Sequence, residues 1–172
     1  MVWLLCGTMA VGCGRTSDRA RLEEAFREAG LPKSPVAPVA GVVTVDGSVP
    51  AAFTLVMLWD PKSPSGGVFR TICDAEGKFA FTSYESGDGV PPGSYVVLFG
   101  QFNMGGKVGH FEAPDLLHNL YNDPDKNALK PEFQITVDAT GKADYQFNLA
   151  LDGIPPVAAP GPHAVTDLKM AT

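Results

Sequence analysis

Between residues 39 and 151 the chain alternates between short apolar runs and clusters of glycine, proline and aspartate. Each run has five to ten residues and is rich in β-branched or aromatic side chains, as β-strands are. The pattern predicts strands at Val39–Val45, Phe53–Asp60, Val68–Cys73, Lys78–Thr82, Gly93–Phe102, Glu132–Asp138 and Ala143–Leu151. All 15 prolines fall outside these seven runs, as expected because proline cannot donate a hydrogen bond to a strand ladder.

The last two predicted strands alternate most clearly. Apolar side chains occupy every second position, namely Phe133, Ile135 and Val137 in the first strand and Tyr145, Phe147, Leu149 and Leu151 in the second. This spacing predicts a hairpin around residues 139–142, with one face of each strand in the core. A second hairpin is predicted around residues 74–77. The run Gly93–Phe102 is apolar on both faces, which predicts a central strand.

Seven short strands separated by turn signals predict an all-β fold, an antiparallel seven-stranded β-sandwich over residues 39–151. Residues 14–30 have a different pattern, because their apolar side chains recur at helical spacing and predict a short N-terminal helix that stops at Gly30. Three prolines between residues 32 and 38 predict a stiff linker. Residues 152–172, with four prolines, are predicted to form a proline-rich tail.

The first 13 residues carry no charged side chain. This run is shorter than the roughly 20 residues that a helix needs to cross a bilayer, and it is typical of the apolar part of an export signal. Its end, Ala10-Val11-Gly12-Cys13, resembles a bacterial lipobox, in which small residues precede a cysteine that receives a diacylglyceryl group. We therefore predict a signal peptide at residues 1–12 and a tether at 13–38, lipidated on Cys13. The alternative is that residues 1–13 begin a buried strand or helix.

The composition of the chain excludes several classes of protein. Lysine and arginine number 13 against 19 acidic residues, so the net charge is −6 and the chain lacks the basic surface that nucleic acid requires. Apolar residues make up 45%, too many for a disordered protein, whereas 19 glycines and 15 prolines are too many for a helical bundle. With Cys13 lipidated, Cys73 has no intrachain partner, and its apolar surroundings predict a buried thiol.

Four segments carry a resemblance to a known family. They are Val42–Pro50 (VVTVDGSVP), Asp74–Phe79 (DAEGKF), Thr82–Tyr95 (TSYESGDGVPPGSY) and Tyr121–Pro124 (YNDP). In sequence and order they are similar to motifs of short bacterial lipoproteins with a transthyretin-like, or carboxypeptidase-regulatory-like, domain. The resemblance covers residues 39–151. It implies an Ig-like sandwich and a cell-envelope location, at the periplasmic or outer-membrane face, with membrane contact through the lipid anchor.

The chain has few groups from which an active site could be built. It contains three histidines, no Gly-x-Ser-x-Gly, no His-Glu-x-x-His and no phosphate loop, and it lacks the C-terminal Tyr-Arg-Gly-Ser of the transthyretin-like hydrolase. We therefore predict a non-enzymatic structural or interaction module without a cofactor. In the family motif, Tyr95 is predicted to bury its ring while its hydroxyl caps a loop.

Residues 103–131 form a 29-residue segment between strands. A connection of this length is expected either to contain secondary structure or to have a function of its own. Four potential metal ligands lie within it, namely His110, Glu112, Asp115 and His118. Imidazole and carboxylate groups bind zinc, but their spacing fits no zinc motif and Pro114 interrupts a shared helix face. The polar residues are therefore expected to form a loop that leads into a short helix, with a metal site as the alternative.

Aromatic side chains bracket the glycine-rich part of the same segment. Phe102, Phe111 and Tyr121 flank residues 104–109. Rings on a loop at the end of a sandwich can stack on sugars or contact a protein, and they can equally cover an open core. The alternative function is therefore a glycan- or protein-binding accessory domain that binds an envelope component through residues 103–131.

Overall fold

The computed structural model describes residues 18–30, 33–50, 53–63, 67–104, 111–112 and 114–154. The chain divides into two compact units, residues 1–34 and residues 35–172. The predicted signal peptide, Cys13 and residues 155–172 of the predicted tail lie outside the described residues. No described helix is both long and apolar enough to cross a membrane.

The first unit contains helix α1, Asp18–Glu28, which confirms the predicted N-terminal helix. The helix ends at Glu28, two residues before the predicted stop at Gly30, whose φ of +64° is a left-handed conformation that other residues adopt at a cost. Arg27 pairs with Glu24 one turn earlier in the helix. The Lys33 ammonium lies 5.9 Å from the centre of the Phe26 ring.

The described residues of the second unit form eight strands and two short helices. The strands are β1 Val39–Val45, β2 Phe53–Trp59, β3 Val68–Ile72, β4 Lys78–Ala80, β5 Gly93–Met104, β6 Phe111–Glu112, β7 Gln134–Val137 and β8 Lys142–Leu149. Helix α2 is Pro124–Asn127, and a 3-10 helix spans Pro131–Phe133. All seven predicted strands are present, whereas the two-residue strand β6 was not predicted.

The strands form two sheets, which confirms the predicted all-β, two-layer architecture. The smaller sheet has the order β4-β1-β8. The larger sheet has the order β3-β2-β5-β6, and β7 also pairs with β5. Strand β5 is therefore central, as its apolar composition on both faces predicted.

One pairing makes the prediction of a purely antiparallel sandwich wrong. Strands β1 and β8 run parallel, with Val43 opposite Phe147 and Val45 opposite Leu149. Neighbours in sequence that pair through a short turn must be antiparallel, but β1 and β8 are the first and last strands of the unit. The whole sandwich connects them, so that the chain length needed for a parallel crossover is available.

The two predicted hairpins are also wrong, because the strands on either side of each turn pair with other strands and not with each other. Strand β7 pairs with β5 and strand β8 with β1, so the turn at 139–142 joins the two sheets. The turn at 74–77 likewise leads from β3 in the larger sheet to β4 in the smaller one. Apolar alternation fixes which side of a strand is buried, and it is the same whether the next strand lies beside it or across the core. Phe133 and Phe147 accordingly face each other from the two layers, with ring centres 6.4 Å apart.

Aromatic side chains fill the space between the sheets. The ring of Phe99, on β5, lies 5.1 Å from Phe147, 5.6 Å from Phe133 and 6.5 Å from Tyr121, each at a steep angle. Such edge-to-face contacts are favoured by the charge distribution of aromatic rings. The core therefore draws on both sheets and on the long segment between β5 and β7.

The prediction for Tyr95 is confirmed. Its side chain is buried, and its hydroxyl donates a 2.7 Å hydrogen bond to the carbonyl of Pro91. Cys73 is buried as predicted, with 5% of its surface exposed. Burial, and secondarily the negative charge of Asp74, raises the pKa of the Cys73 thiol to about 12, so the thiol stays protonated at neutral pH.

The turn between β4 and β5 is organised around Asp88. Its carboxylate accepts hydrogen bonds from the backbone N–H groups of Ser83, Tyr84 and Glu85 at 2.7 to 2.9 Å. Burial alone would raise the pKa of Asp88, but hydrogen bonds from these backbone N–H groups outweigh it and lower the pKa. The Gly-Asp-Gly part of the family-like motif therefore has a structural role in closing this turn.

Candidate binding surface

Strand β2 places apolar side chains on both sides of the larger sheet. Thr54, Val56 and Leu58 point inward and are buried. The alternate positions Phe53, Leu55, Met57 and Trp59 point outward and are half-buried or exposed. A sheet that faces solvent on one side usually carries polar residues there. The outward side of β2 is instead as apolar as its core side.

Neighbouring strands extend this apolar side across the sheet. Residues directly opposite one another on antiparallel strands share a face, so the register defines rows of side chains. The outward rows are Phe53–Phe102, Ile72–Leu55–Gly100, Arg70–Met57–Leu98 and Val68–Trp59–Val96–Gln134. We call the nine apolar side chains of these rows, together with Gly100, the apolar outer face; they are Phe53, Leu55, Met57, Trp59, Val68, Ile72, Val96, Leu98 and Phe102.

The residues of the apolar outer face lie outside the core between the two sheets. Phe53 and Ile72 each expose 44% of their surface. Val96 and Leu98 expose only 5% each, yet they lie outside the cluster of buried side chains between the two sheets. The larger sheet therefore carries two apolar layers, one inside the sandwich and one outside it.

Phe102 belongs to this face. It lies in β5, and a Cβ atom placed on Gly100 would come within 2.6 Å of the Phe102 ring. The outer end of the ring therefore lies against the glycine, an arrangement by which aromatic side chains shield glycines in sheets. This predicted binding residue thus lies on the sheet, beside Phe53.

The charge of the face is low and positive. Within the described rows, Arg70 is the one charged side chain, and it is exposed opposite Met57. The uncharged amide of Gln134 ends the row at Val96. The protein as a whole has a net charge of −6, so the acidic residues lie elsewhere on the molecule.

The outer side of the smaller sheet is different. Val42, on its central strand, lies between Lys78 and Gln146. Thr44 lies opposite Asn148 and donates a 2.9 Å hydrogen bond to its side-chain oxygen. A shallow groove of about 430 Å³ runs along this sheet and is lined by small aliphatic and polar residues together with Phe79 and Tyr145. This face has the mixed polarity of an ordinary solvated sheet.

The other two predicted binding aromatics are not brought together with Phe102. Tyr121 is 7% exposed and donates a 2.6 Å hydrogen bond through its hydroxyl to the carbonyl of Ala150. Burial is the main cause that raises the pKa of the Tyr121 hydroxyl. Phe111 lies in β6, and its side chain is outside the described part of the structure. Tyr121 therefore packs in the core rather than presenting its ring to a ligand.

The second half of the long segment closes an edge of β5. The carbonyl of Tyr121 accepts hydrogen bonds from the N–H of Phe99, at 2.8 Å, and from the side-chain amide of Asn127, at 2.9 Å. The same amide also donates to the carbonyl of Val97. Backbone groups of β5 that no strand pairs are thereby satisfied, as buried polar groups require. The sequence carries no evident signal for this arrangement.

The predicted metal ligands are partly described. The Asp115 carboxylate is buried and accepts backbone hydrogen bonds from Gln101, Leu117 and Asn119 at 2.8 to 3.2 Å. His118 follows in the same turn, with a φ of +55°. His110 and the side chain of Glu112 lie outside the described residues. Among the residues that the structure describes, no group of three or more histidine, cysteine or acidic side chains could hold a metal ion. The four-ligand site stays a prediction.

The apolar outer face itself was not predicted from the sequence. Its signal is present in β2, whose seven residues FTLVMLW include one polar side chain, and in the apolar first half of β5. Runs of this kind are typical of strands covered on both sides. A central position explains why such a strand is paired along both edges, but it does not explain why the outward side of the strand is apolar.

No known protein-family model matches the chain. A comparison with curated proteins finds no matching sequence either.

Proposed function

We propose that the protein is a lipid-anchored component of the cell envelope, whose β-sandwich is a non-enzymatic interaction module. In this proposal Cys13 carries the lipid, residues 13–38 tether the sandwich, and the apolar outer face docks on the surface of another protein. The observation that carries the docking function is the continuity of apolar side chains across the four outward rows of the larger sheet.

Covering this face with another protein would be energetically favourable. Apolar surface removed from water contributes about 25 cal/mol per Å². Contiguous apolar patches of several hundred Å² on soluble proteins commonly mark binding sites. Phenylalanine, tryptophan, methionine and arginine, the side chains of Phe53, Trp59, Met57 and Arg70, are enriched at protein interfaces.

The family-like motifs support a transthyretin-like sandwich as the finer description of the fold. Asp46 and Gly47 form a tight turn with φ values of 49° and 73°, as the Asp-Gly pair requires. Asp88 and Tyr95 fix the turn between β4 and β5 through hydrogen bonds. Three of the four segments that carry the resemblance thus contribute turns that join strands, the third being residues 74–77.

The use of the carboxylates supports a structural rather than a catalytic role for them. Asp88, Asp115 and Asp138 each accept hydrogen bonds from at least two backbone N–H groups. Hydrogen bonds with Thr140, followed by one from the backbone of Gly141, lower the pKa of Asp138. These carboxylates stabilise turns by accepting hydrogen bonds from the backbone.

The anchor is tested on the full chain in bacterial membranes. We expect mass spectrometry of the membrane fraction to find an N-terminal peptide that begins at diacylglyceryl-modified Cys13. Replacement of the thiol in Cys13→Ser should release the protein from membranes, because the lipid is gone. Cys6→Ser is the matched control and should remain attached. Equal membrane attachment of the two variants, without lipid on Cys13, would contradict the proposal.

Docking is tested by placing a photoreactive amino acid at Met57 of the full chain in intact cells. Position 42 is the matched control, because Val42 is also apolar, half-buried and outward on the central strand of its own sheet. We expect a protein adduct from position 57 and none from position 42. Equal adduct yields at the two positions would argue against the apolar outer face as the docking surface.

A further inference from the structure

We infer that the protein which covers the apolar outer face is a second copy of this chain, stacked face to face about a two-fold axis. The inference rests on the proposed function, which makes this face the docking surface. It adds the identity of the partner and the geometry of the pair: two larger sheets in contact, with the two smaller sheets on the outside.

The size of the face fits a weak dimer interface. The four outward rows hold 12 residues, and only the last row reaches β7. Neighbouring strands lie about 4.8 Å apart and residues on one face of a strand repeat about every 6.8 Å, so the footprint is roughly 390 Å² per copy before side-chain relief is counted. Two copies would bury roughly 800 Å² or more, the size of weak and transient interfaces. A reversible dimer is expected rather than an obligate one.

A two-fold axis is the symmetry by which one surface patch binds its own copy. With the axis near Met57, in the middle of the outward rows, the large side chains of Met57 and Trp59 in each copy would face the same patch of the other copy. The two sheets would then lie about 10 Å apart.

Charge favours a second copy over a lipid surface. Two acidic chains repel each other, but the face carries no acidic side chain in its described rows, so the negative charges stay away from the contact. Binding to an anionic bilayer generally uses several cationic residues together with apolar ones. Arg70 alone on this face, in a chain of net charge −6, does not meet that requirement. Lipid anchoring also concentrates copies in one membrane and so promotes a weak dimer.

The test uses two differently tagged full-length copies expressed together and isolated from the same membranes. We expect the copies to purify together, and we expect Met57→Lys to reduce the co-purified fraction about tenfold, because its charge would be buried next to Arg70 without an acidic partner. Met57→Glu should reduce this fraction less, because Arg70 lies directly opposite and can pair with the carboxylate. Val42→Glu and Val42→Lys are the matched controls and should leave that fraction within about twofold of the wild-type value.

A second measurement does not depend on the stability of charged variants. In membranes, a thiol crosslinker that spans about 10 Å, the separation of stacked sheets, should join two copies of Met57→Cys but not of Val42→Cys. A crosslinked band of twice the chain mass supports the inference, with wild type as the background for the native cysteines.

Three results would overturn the inference in different ways. A Met57→Cys adduct to a different protein leaves the proposed docking function intact and removes the second copy as its partner. Loss of membrane binding in Met57→Glu but a gain in Met57→Lys would identify a lipid surface instead. Failure of both co-purification and crosslinking, with position 57 no more reactive than position 42, would contradict the docking function as well.

Discussion

The outer faces of the two sheets differ although both sheets belong to one sandwich. On the smaller sheet, Val42 is flanked by Lys78 and Gln146, and the rows on either side contain Thr44 with Asn148 and two small alanines, Ala40 and Ala80. On the larger sheet, Met57 is flanked by Leu98 and Arg70, and the neighbouring rows are apolar. Inward positions are apolar in both sheets because they share one core. The outward positions therefore carry the information about what each sheet contacts.

The central strand of each sheet carries a glycine, and the two glycines differ in what lies beside them. Gly41 on β1 lies where β1 and β8 shift register, and a Cβ there would approach the backbone of Tyr145, with its carbonyl carbon at 2.8 Å. Gly100 on β5 instead faces the end of the Phe102 ring, a side chain that can rotate. The smaller sheet thus uses its glycine for close backbone packing, and the larger sheet uses its glycine to seat an aromatic ring on the outer surface.

The largest effect is expected from Gly41→Ala. Two backbone segments would have to separate to admit the methyl group, so we expect a loss of about 3 kcal/mol or more in the free energy of unfolding. In Gly100→Ala, rotation of the Phe102 ring should limit the loss to about 1 kcal/mol. Urea denaturation of both variants measures the difference. Equal losses would show that the two glycines are not distinguished by what they face.

Sequence reasoning predicted the strands well because each strand's pattern is local. Proline exclusion and apolar alternation located all seven predicted strands. It did not predict which strands pair. The turns at 74–77 and 139–142 look like hairpin loops, but they join different sheets, and partner choice depends on the packing of the whole core.

The candidate site shows the same limit. Phe102 was predicted as a binding residue from its place beside a glycine-rich segment, and the structure places it on the apolar outer face. Tyr121 was grouped with it on sequence proximity, but a buried hydrogen bond to Ala150 fixes it in the core. Aromatic composition alone does not distinguish a ring that fills a core from one that covers a sheet. That distinction requires the register of β2 against β5.

A smaller effect is expected from Leu98→Ala. Leu98 is 5% exposed although it points outward, so truncation should leave a defect comparable with one in the core and cost about 2 kcal/mol in the free energy of unfolding. Val42→Ala is the matched change on the other outer face, where Val42 is only half-buried, and it should cost less than about 1 kcal/mol. Equal stability of the two variants in urea would contradict the existence of a second apolar layer.

The smallest effect on stability, under about 1 kcal/mol, is expected from Ile72→Cys, which compares the two sides of the larger sheet at adjacent positions. Ile72 is 44% exposed on the outer side, whereas the native Cys73 is 5% exposed on the inner side with a thiol pKa of about 12.

The two positions are compared by labelling with maleimide. At pH 8 an exposed thiol of pKa about 8.5 is roughly one-quarter thiolate, and thiolate is the form that reacts with maleimide. Cys73 would be about one part in ten thousand thiolate, so the tryptic peptide of residues 71–78 should gain one label in Ile72→Cys and none in wild type. Labelling that slows as protein concentration rises would add evidence that a second copy covers the face, while two labels would show that Cys73 is accessible and that the inner layer is not closed.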